Sequence, residues 1–150
     1  MVPSGGDGNI AYNNLIWNNS GGILVDYGAS NTGVYGNTIY ANNANGATAP
    51  GIRLGYNVGA SNATIRDNII FGNTAGDITI QSATNTVADH NTLGTTDPKF
   101  GNTAGFDFHL QVVSPAIGAG VAVAGVTTDF DGVARPQGSS YDAGAYEYVP

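Results

Sequence analysis

Short apolar segments recur along the first two thirds of the chain, and each begins at an Asn. The repeated Asn residues are separated by 23, 31 and 23 positions, so that one copy carries an insertion of eight residues; they are Asn14, Asn37, Asn68 and Asn91. A fixed period of this length, built from short apolar segments, predicts a solenoid of stacked coils.

Each copy contains three strand-like pieces. Because side chains alternate between the two faces of a strand, every second residue is predicted to point inward. Like residues then form four inward columns: Ile23, Ile52 and Ile78; Val25, Leu54 and Ile80; Ile16, Ile39, Ile70 and Leu93; and Ala11, Val34, Ile65 and Ala88. Three strands per turn predict an all-β fold, a parallel β-helix of about four coils over residues 9–94.

The repeated Asn is expected to have two roles. Its side-chain amide can bond to the Asn of the coils on either side, as amide ladders do in stacked strands. Asn also tolerates the left-handed backbone conformation that a sharp bend needs. The insertion falls mostly at residues 43–50, with two further residues near 56–60, and both parts are predicted to form loops on one coil.

The repeat ends after Leu93, and five short motifs follow: Asp97-Pro-Lys-Phe100, Phe106-Asp-Phe-His-Leu110, Ser114-Pro-Ala-Ile-Gly-Ala-Gly120, Asp129-Phe-Asp-Gly-Val-Ala-Arg135 and Asp142-Ala-Gly-Ala-Tyr-Glu147. Repeats and motifs together resemble the C-terminal part of bacterial right-handed parallel β-helix repeat proteins, a family with polysaccharide lyase-like and cell-surface members. The resemblance implies a right-handed, single-stranded solenoid with a C-terminal cap. The chain departs from the family at Gly118, where an Asp is usual.

Length indicates one domain over residues 1–150, with a final irregular coil and cap over 95–150. The end of a solenoid exposes apolar core and unpaired strand edges, so we expect the cap to cover it. The apolar residues assigned to that cover are Phe100, Phe106, Phe108, Leu110, Ile117, Tyr146 and Tyr148. Residues 1–8 are too short and too Gly-rich for a similar lid. Either the chain is the last part of a longer β-helix, or its first coil docks on a partner; for the second case we predict end-to-end self-association through residues 1–25.

Composition excludes several classes of partner. The net charge is −7 and the few basic residues do not cluster, which argues against nucleic acid and anionic membranes. Cysteine is absent, and no apolar run is long enough to insert into a membrane. Residues 1–8 do not resemble a signal peptide. We expect an extracellular or cell-surface location, with any export signal outside this chain.

Two outward rows are candidate binding surfaces. Trp17, Tyr40 and Phe71 follow inward residues, so they are predicted to stack outside and to hold sugar rings; the alternative is that the C-terminal segment or another subunit covers them. Asp26 and Arg53 are expected outward on neighbouring strands. The resemblance to polysaccharide lyases makes them candidates for proton abstraction and carboxylate binding, and the alternative is a surface ion pair.

Two further groups are weaker candidates. His90, beside Arg66 and Asp89, has the chemistry of a general base, although a solvated turn residue is the simpler interpretation. Asp129 and Asp131 resemble part of an acidic calcium loop, but they lack the full EF-hand spacing. An ion pair between Asp129 and Arg135 is the alternative. No other cofactor is indicated.

These patterns favour a non-catalytic module that binds polysaccharide, with Trp17, Tyr40, Phe71 and Arg53 in contact with the sugar. One alternative is an enzyme, namely the terminal portion of a polysaccharide lyase, epimerase or glycoside hydrolase. Another is a purely structural scaffold. The sequence does not identify the glycan.

Overall fold

A computed structural model describes residues 5–150, and its first two sheets each contain four parallel strands. Sheet I consists of β1 (Ile10–Tyr12), β4 (Gly33–Tyr35), β8 (Thr64–Arg66) and β12 (Val87–Asp89). Sheet II consists of β2 (Leu15–Trp17), β5 (Thr38–Tyr40), β9 (Ile69–Phe71) and β13 (Thr92–Leu93).

Two smaller parallel sheets complete each turn. Sheet III consists of β3 (Ile23–Val25), β6 (Ile52–Leu54) and β10 (Ile78–Ile80). Sheet IV consists of β7 (Ala60–Ser61) and β11 (Ala83–Thr84), extended by single bridges through Ser30 to Asp7. The sequence analysis found three strands per turn and missed this fourth row, because two-residue strands show no alternation.

The solenoid is an all-β parallel β-helix, as predicted, and equivalent residues of successive coils stand in register. The four predicted columns are completely buried only in the two middle coils, at Val34, Ile39, Ile52, Leu54, Ile65 and Ile70. In the terminal coils, the same columns are partly open, with Ile80 49% and Leu93 36% exposed. A coil reaches full burial only when another coil lies on each side, and each completely buried Ile or Leu contributes roughly 1.5–3 kcal/mol.

The predicted asparagine ladder is present at the corner between sheets I and II. Asn14 Nδ2 donates to Asn37 Oδ1 at 2.8 Å, Asn37 Nδ2 to Asn68 Oδ1 at 2.9 Å, and Asn68 Nδ2 to Asn91 Oδ1 at 2.9 Å. Each Oδ1 also accepts the backbone amide of the Asn in the preceding coil. The ladder is directional, because every coil donates to the next one along the chain.

The left-handed bend falls on the residue before each ladder Asn, which corrects one of the two roles assigned above. Those residues have φ between 52° and 59°, and they are Asn13, Gly36, Asp67 and His90. The ladder Asn is therefore free to act as a hydrogen-bonding group.

Two more ladders follow the same coils. Asn19, Asn42 and Asn73 form one after sheet II. A third, which the sequence analysis missed, links Asn31, Asn62 and Asn85 beside sheet IV. In that third ladder the Asn residues themselves are left-handed, with φ of 52° to 53°. Asn thus performs both predicted roles in this protein, and only the third ladder combines them in one residue.

The inserted residues lie outside the strands, as predicted for loops. A short 3₁₀ turn, Ala44–Gly46, occupies the first insertion. The second lies between β6 and β7, where Asp26 accepts hydrogen bonds from the backbone amides of Asn57 and Val58.

The C-terminal segment lies along the outer side of sheet II, where the sequence analysis expected a lid over the last coil. It contains β14 (Phe100–Asn102), a 3₁₀ turn (Thr103–Gly105) and β15 (Asp107–Leu110), which pairs antiparallel with β14. Its apolar residues pack with the outward side chains of sheet II, including Leu15, Trp17, Tyr40, Ile69 and Phe71.

A buried ion pair organises this segment. Arg135 Nη1 donates to Glu147 Oε1 at 2.8 Å, and both side chains are almost completely buried. Arg135 also donates to the carbonyls of Asp142 and Gly144, and to Asn13 Oδ1 in the first coil. The predicted pair between Arg135 and Asp129 does not form, because Asp129 accepts backbone amides instead.

Replacing a central ladder Asn should destabilise the fold more than replacing the last one. Asn37→Ala removes a completely buried amide that donates to Asn68 and accepts from Asn14. Asn91→Ala removes an amide with a single ladder neighbour, Asn68. We expect the difference to equal about one hydrogen bond, roughly 0.5–1.5 kcal/mol. Urea unfolding of both variants measures it. Equal losses would show that the ladder itself contributes nothing.

Candidate functional site

The aromatic row predicted from the repeat exists, and the C-terminal segment packs against it. Trp17, Tyr40 and Phe71 occupy equivalent positions on β2, β5 and β9. All three are half-buried. Two of them each contact two aromatic rings of the hairpin. The Trp17 centroid lies 5.7 Å from Phe106 and 5.6 Å from Phe108, and the Tyr40 centroid lies 5.8 Å from Phe100 and 5.4 Å from Phe108. The alternative stated for this row, partial cover by the C-terminal segment, is what the structure shows.

An open cleft remains where Tyr40 and Phe71 stand in the same row, between sheet II and the hairpin. Its volume is about 290 Å³, and it is lined by Tyr40, Phe71, Asp97, Lys99, Phe100, Thr103 and Gln111. The rings of Tyr40 and Phe71 are nearly parallel, 16° apart, with centroids separated by 6.3 Å. The cleft therefore combines a stacked pair of aromatic rings with polar side chains along its rim.

The polar rim contains donors and acceptors suited to hydroxyl groups. Lys99 Nζ donates to Asp97 Oδ2 at 2.8 Å, and both side chains are about half exposed. Hydrogen bonding to Lys99 holds the pKa of Asp97 below its usual value. Gln111 Nε2 donates to the carbonyl of Phe100, which fixes that side chain against β14. Paired charges and fixed amides favour a neutral, hydroxyl-rich ligand over a strongly charged one.

The predicted pair of Asp26 and Arg53 does not form. Asp26 is buried at a corner. Its carboxylate accepts hydrogen bonds from the backbone amide and the side chain of Asn57 and from the backbone amide of Val58. Burial alone would raise its pKa, but the hydrogen bonds from Val58, Tyr27 and Asn57 outweigh it and lower the pKa to about 2. Asp26 is held as a charged anchor for the second insertion, which opposes a role in proton abstraction.

Arg53 lies outward on sheet III, away from the cleft. Its guanidinium stands 4.7 Å from the centre of the exposed Tyr56 ring. The other basic side chains, Arg66, Lys99 and Arg135, each pair with a carboxylate, whereas Arg53 has no such partner among residues 5–150. Within residues 5–150, Arg53 is thus the basic side chain without a carboxylate partner, in a chain that carries a net charge of −7.

His90 belongs to a polar group on sheet I. Arg66 binds Asp89 through two hydrogen bonds, of 2.6 Å and 2.7 Å. That contact is the main reason the pKa of Asp89 falls to about 2. His90 Nδ1 lies 3.4 Å from the same carboxylate. The group is a surface ion-pair cluster, and Tyr35 lies beside Arg66 on the neighbouring strand.

His109 connects two parts of the C-terminal segment. Its Nδ1 lies 2.6 Å from Asp107 and its Nε2 lies 3.0 Å from Asp131, and its ring stacks on Tyr146 with centroids 3.9 Å apart. Burial lowers the pKa of His109, but the hydrogen bonds to Asp107 and Asp131 outweigh it, and the net pKa is raised.

The carboxylates proposed for calcium are engaged by the protein's own donors. Asp129 accepts the backbone amides of Asp131, Val133 and Glu147, and Asp131 accepts from His109. Across residues 5–150, no three His, Asp or Glu side chains form a group that could hold a metal ion. Calcium binding here would require these amides to give up their acceptors.

Asp67 is a perturbed group that the sequence analysis missed. It occupies a left-handed corner position and is buried beneath residues 121–144, where Val121 donates to its carboxylate at 3.2 Å. Burial raises its pKa to about 6. Its signal in the sequence was its equivalence to Asn13, Gly36 and His90, an acid among uncharged or weakly basic corner residues.

Comparisons with known proteins point to one family. A family model described as a right-handed β-helix region matches residues 3–93, which is more than half of the chain and close to the predicted repeat region. No curated protein and no solved structure matches the chain. No helix in the described part of the chain is long and apolar enough to cross a membrane.

Neutralising Asp67 should stabilise the protein at neutral pH. Because the pKa rises from 3.8 to about 6 on folding, the folded state is penalised once the pH exceeds these values, and no penalty exists below them. Asp67→Asn keeps an oxygen acceptor, so we expect a gain of up to roughly 3 kcal/mol at pH 7 and little change near pH 4. Thermal unfolding at both pH values tests this. An equal shift at both would point to packing instead of charge.

The His109 contacts should make stability fall as the pH rises. The pKa of folded His109 lies above its unfolded value of 6.5, so its contribution is complete below that pH and is lost through the raised pKa. Unfolding curves of wild type should therefore show a decline in this window that His109→Gln lacks. Asp97→Asn serves as the control, because it removes an exposed carboxylate that pairs with Lys99 elsewhere in the chain. A decline retained in His109→Gln would assign it to another group.

Proposed function

The chain belongs to the right-handed β-helix family, and from this premise we propose that it is a polysaccharide-binding, non-catalytic module of an extracellular or cell-surface protein. The coils supply a rigid frame, and the hairpin β14–β15 closes one side of the binding cleft. The fold itself does not specify a ligand, so the proposal depends on the cleft.

The observation that carries the proposal is the aromatic floor of the cleft beside its polar rim. Tyr40 and Phe71, whose rings are stacked, give an apolar lining to an open groove of about 290 Å³. A sugar ring has apolar C–H faces and an edge of hydroxyl groups. The C–H face fits the aromatic floor, and the hydroxyls reach the rim groups Asp97, Lys99, Thr103 and Gln111.

The placement of the polar residues supports a binding role over a catalytic one. Asp26, the candidate for proton abstraction, is held by backbone amides. Arg53 lies on sheet III, away from the cleft on sheet II. The cleft contains one carboxylate, Asp97, which is paired with Lys99. Glycoside hydrolysis usually employs two carboxyl groups on either side of the scissile bond. The cleft does not supply such a pair.

A lyase remains the second candidate because Arg53 has no carboxylate partner in the described part of the chain and stands over an exposed tyrosine. Such a cation would suit the carboxylate of a uronate. Incubation with uronate polymers, with absorbance of unsaturated ends as the readout, separates this candidate from simple binding. Activity that disappears in Arg53→Ala would favour the lyase.

Removing one ring of the cleft floor should weaken glycan binding. For Phe71→Ala we expect affinity to fall on the order of tenfold, since an aromatic contact contributes about 0.5–1.5 kcal/mol. Tyr56→Ala is the matched control, because Tyr56 is an exposed aromatic residue outside the cleft. A glycan array identifies the ligand, and calorimetry measures both variants.

Each result has a clear meaning. Melting curves of Phe71→Ala establish that the coils remain folded before binding is compared. Equal loss in Phe71→Ala and Tyr56→Ala would exclude the cleft as the site. If wild type binds no glycan on a broad array, the proposal fails and the scaffold alternative stands.

A further inference from the structure

The fold protects the side-chain amides of the central ladder from chemical change. Asn37 and Asn68 are completely buried, and the Nδ2 of each donates to a ladder oxygen and to a backbone carbonyl. The backbone nitrogens that follow them, at Thr38 and Ile69, donate to carbonyls of the preceding coil. An Asn amide is lost when the following backbone nitrogen reaches its Cγ, so the strands keep these amides intact.

Asn45 lacks this protection. It precedes Gly46 in the first insertion, and the two form the one Asn-Gly pair of the sequence. Both residues are exposed. They lie in the short turn Ala44–Gly46, where the Gly46 amide donates to the carbonyl of Asn43 at 3.2 Å. A single surface turn of this kind opens at little cost in free energy, which releases the Gly46 nitrogen.

The backbone at Gly46 offers no steric barrier to ring closure. A Cβ built at this position would meet nothing within 4 Å, and φ is 56° at Asn45 and 73° at Gly46. Glycine reaches a wider range of backbone angles than any other residue. The opened turn can therefore rotate until the Gly46 nitrogen faces the Asn45 side chain.

We infer that Asn45 is a site of spontaneous modification through a cyclic imide. The Gly46 nitrogen forms a bond to Cγ of Asn45, and the bond from Cγ to Nδ2 breaks. Nδ2 leaves as ammonia and takes the proton that the Gly46 amide loses. Water then opens the ring at either carbonyl, which leaves aspartate or isoaspartate at position 45. A neutral amide becomes a carboxylate, which adds one negative charge to the net charge of −7.

The second insertion contains an Asn that serves as an internal reference. Asn57 Nδ2 donates to Asp26 Oδ2 at 2.6 Å, and the backbone nitrogen of Val58 donates to Asp26 Oδ1 at 2.8 Å. One carboxylate thus holds both the leaving amide and the attacking nitrogen. The branched side chain of Val58 also restricts the rotation that ring closure needs. Asn57 should therefore remain unchanged while Asn45 reacts.

The modification should leave the coils stacked. The isoaspartyl product carries one additional carbon atom in the main chain, within the loop that joins β5 to β6. Asn42, which bonds to Asn73 through its backbone amide and its side chain, lies before the turn. The ladder contacts on both sides of this coil are therefore retained in the product.

Ageing the full chain in mildly alkaline buffer tests the inference, since base removes the proton of the Gly46 amide. Isoelectric focusing of wild type should show an acidic species that accumulates with time and differs by one negative charge. Peptide mass mapping should assign the lost amide to Asn45, with Asn37 and Asn57 unchanged. Asn45→Gln should lack the acidic species, because the longer side chain closes its ring slowly, and Gly46→Ala should lose most of the reaction.

Circular dichroism before and after ageing should be unchanged, and a parallel sample in urea measures the reaction without the fold. Amide loss at Asn45 in urea but not in the folded protein would overturn the inference, because the turn would then protect this residue. Equal loss at Asn45 and Asn57 in the folded protein would also overturn it. An acidic species that persists in Asn45→Gln would place the modification elsewhere.

Discussion

The structure depends on side-chain amides that are buried at the corners of the coils and bonded only to each other and to the backbone. Asn37, Asn42 and Asn68 are completely buried, and each both donates and accepts along its column. A buried amide without partners destabilises a fold strongly, so these residues tolerate one spacing and one register alone. The apolar columns add stabilisation, but they would accept a slip between like residues. The amide columns do not, and they therefore determine which residues stand above one another.

The flank of sheet II shows how that register produces a surface. Because the coils are aligned, three aromatic residues from distant positions stand in a row, and the C-terminal segment packs over part of it. The covered part, around Trp17, contributes to the core. At Tyr40 and Phe71 the segment contacts the row but leaves an open cleft, whose rim comes from the segment itself. The candidate site is therefore a product of two regions, neither of which contains it alone.

The sequence predicted the fold because its evidence was periodic. Asn14, Asn37, Asn68 and Asn91 recur at coil spacing, and the inward columns follow from strand alternation. It did not predict where the C-terminal segment lies, since nothing in a motif such as Phe106–Leu110 says which apolar surface it meets. The ion-pair predictions failed for the same reason. Asp26 and Asp129 accept hydrogen bonds from backbone amides of adjacent loops, whose positions depend on turn geometry. Arg135 pairs with Glu147, twelve positions further along the chain. Asp67 escaped notice because its perturbation comes from burial by a distant segment.

The C-terminal segment makes polar contacts with each of the first three coils. Arg135 donates to Asn13, the amide of Ala145 donates to the Thr38 hydroxyl, and the amide of Gly144 donates to the carbonyl of Asp67. A stack of repeats whose members touch only their neighbours can fray from either end, one coil at a time. Here the loss of the first coil also breaks its contacts with the C-terminal segment, such as the hydrogen bond from Arg135 to Asn13. The segment thus acts as a lengthwise brace, and it should make the coils unfold together as one cooperative unit.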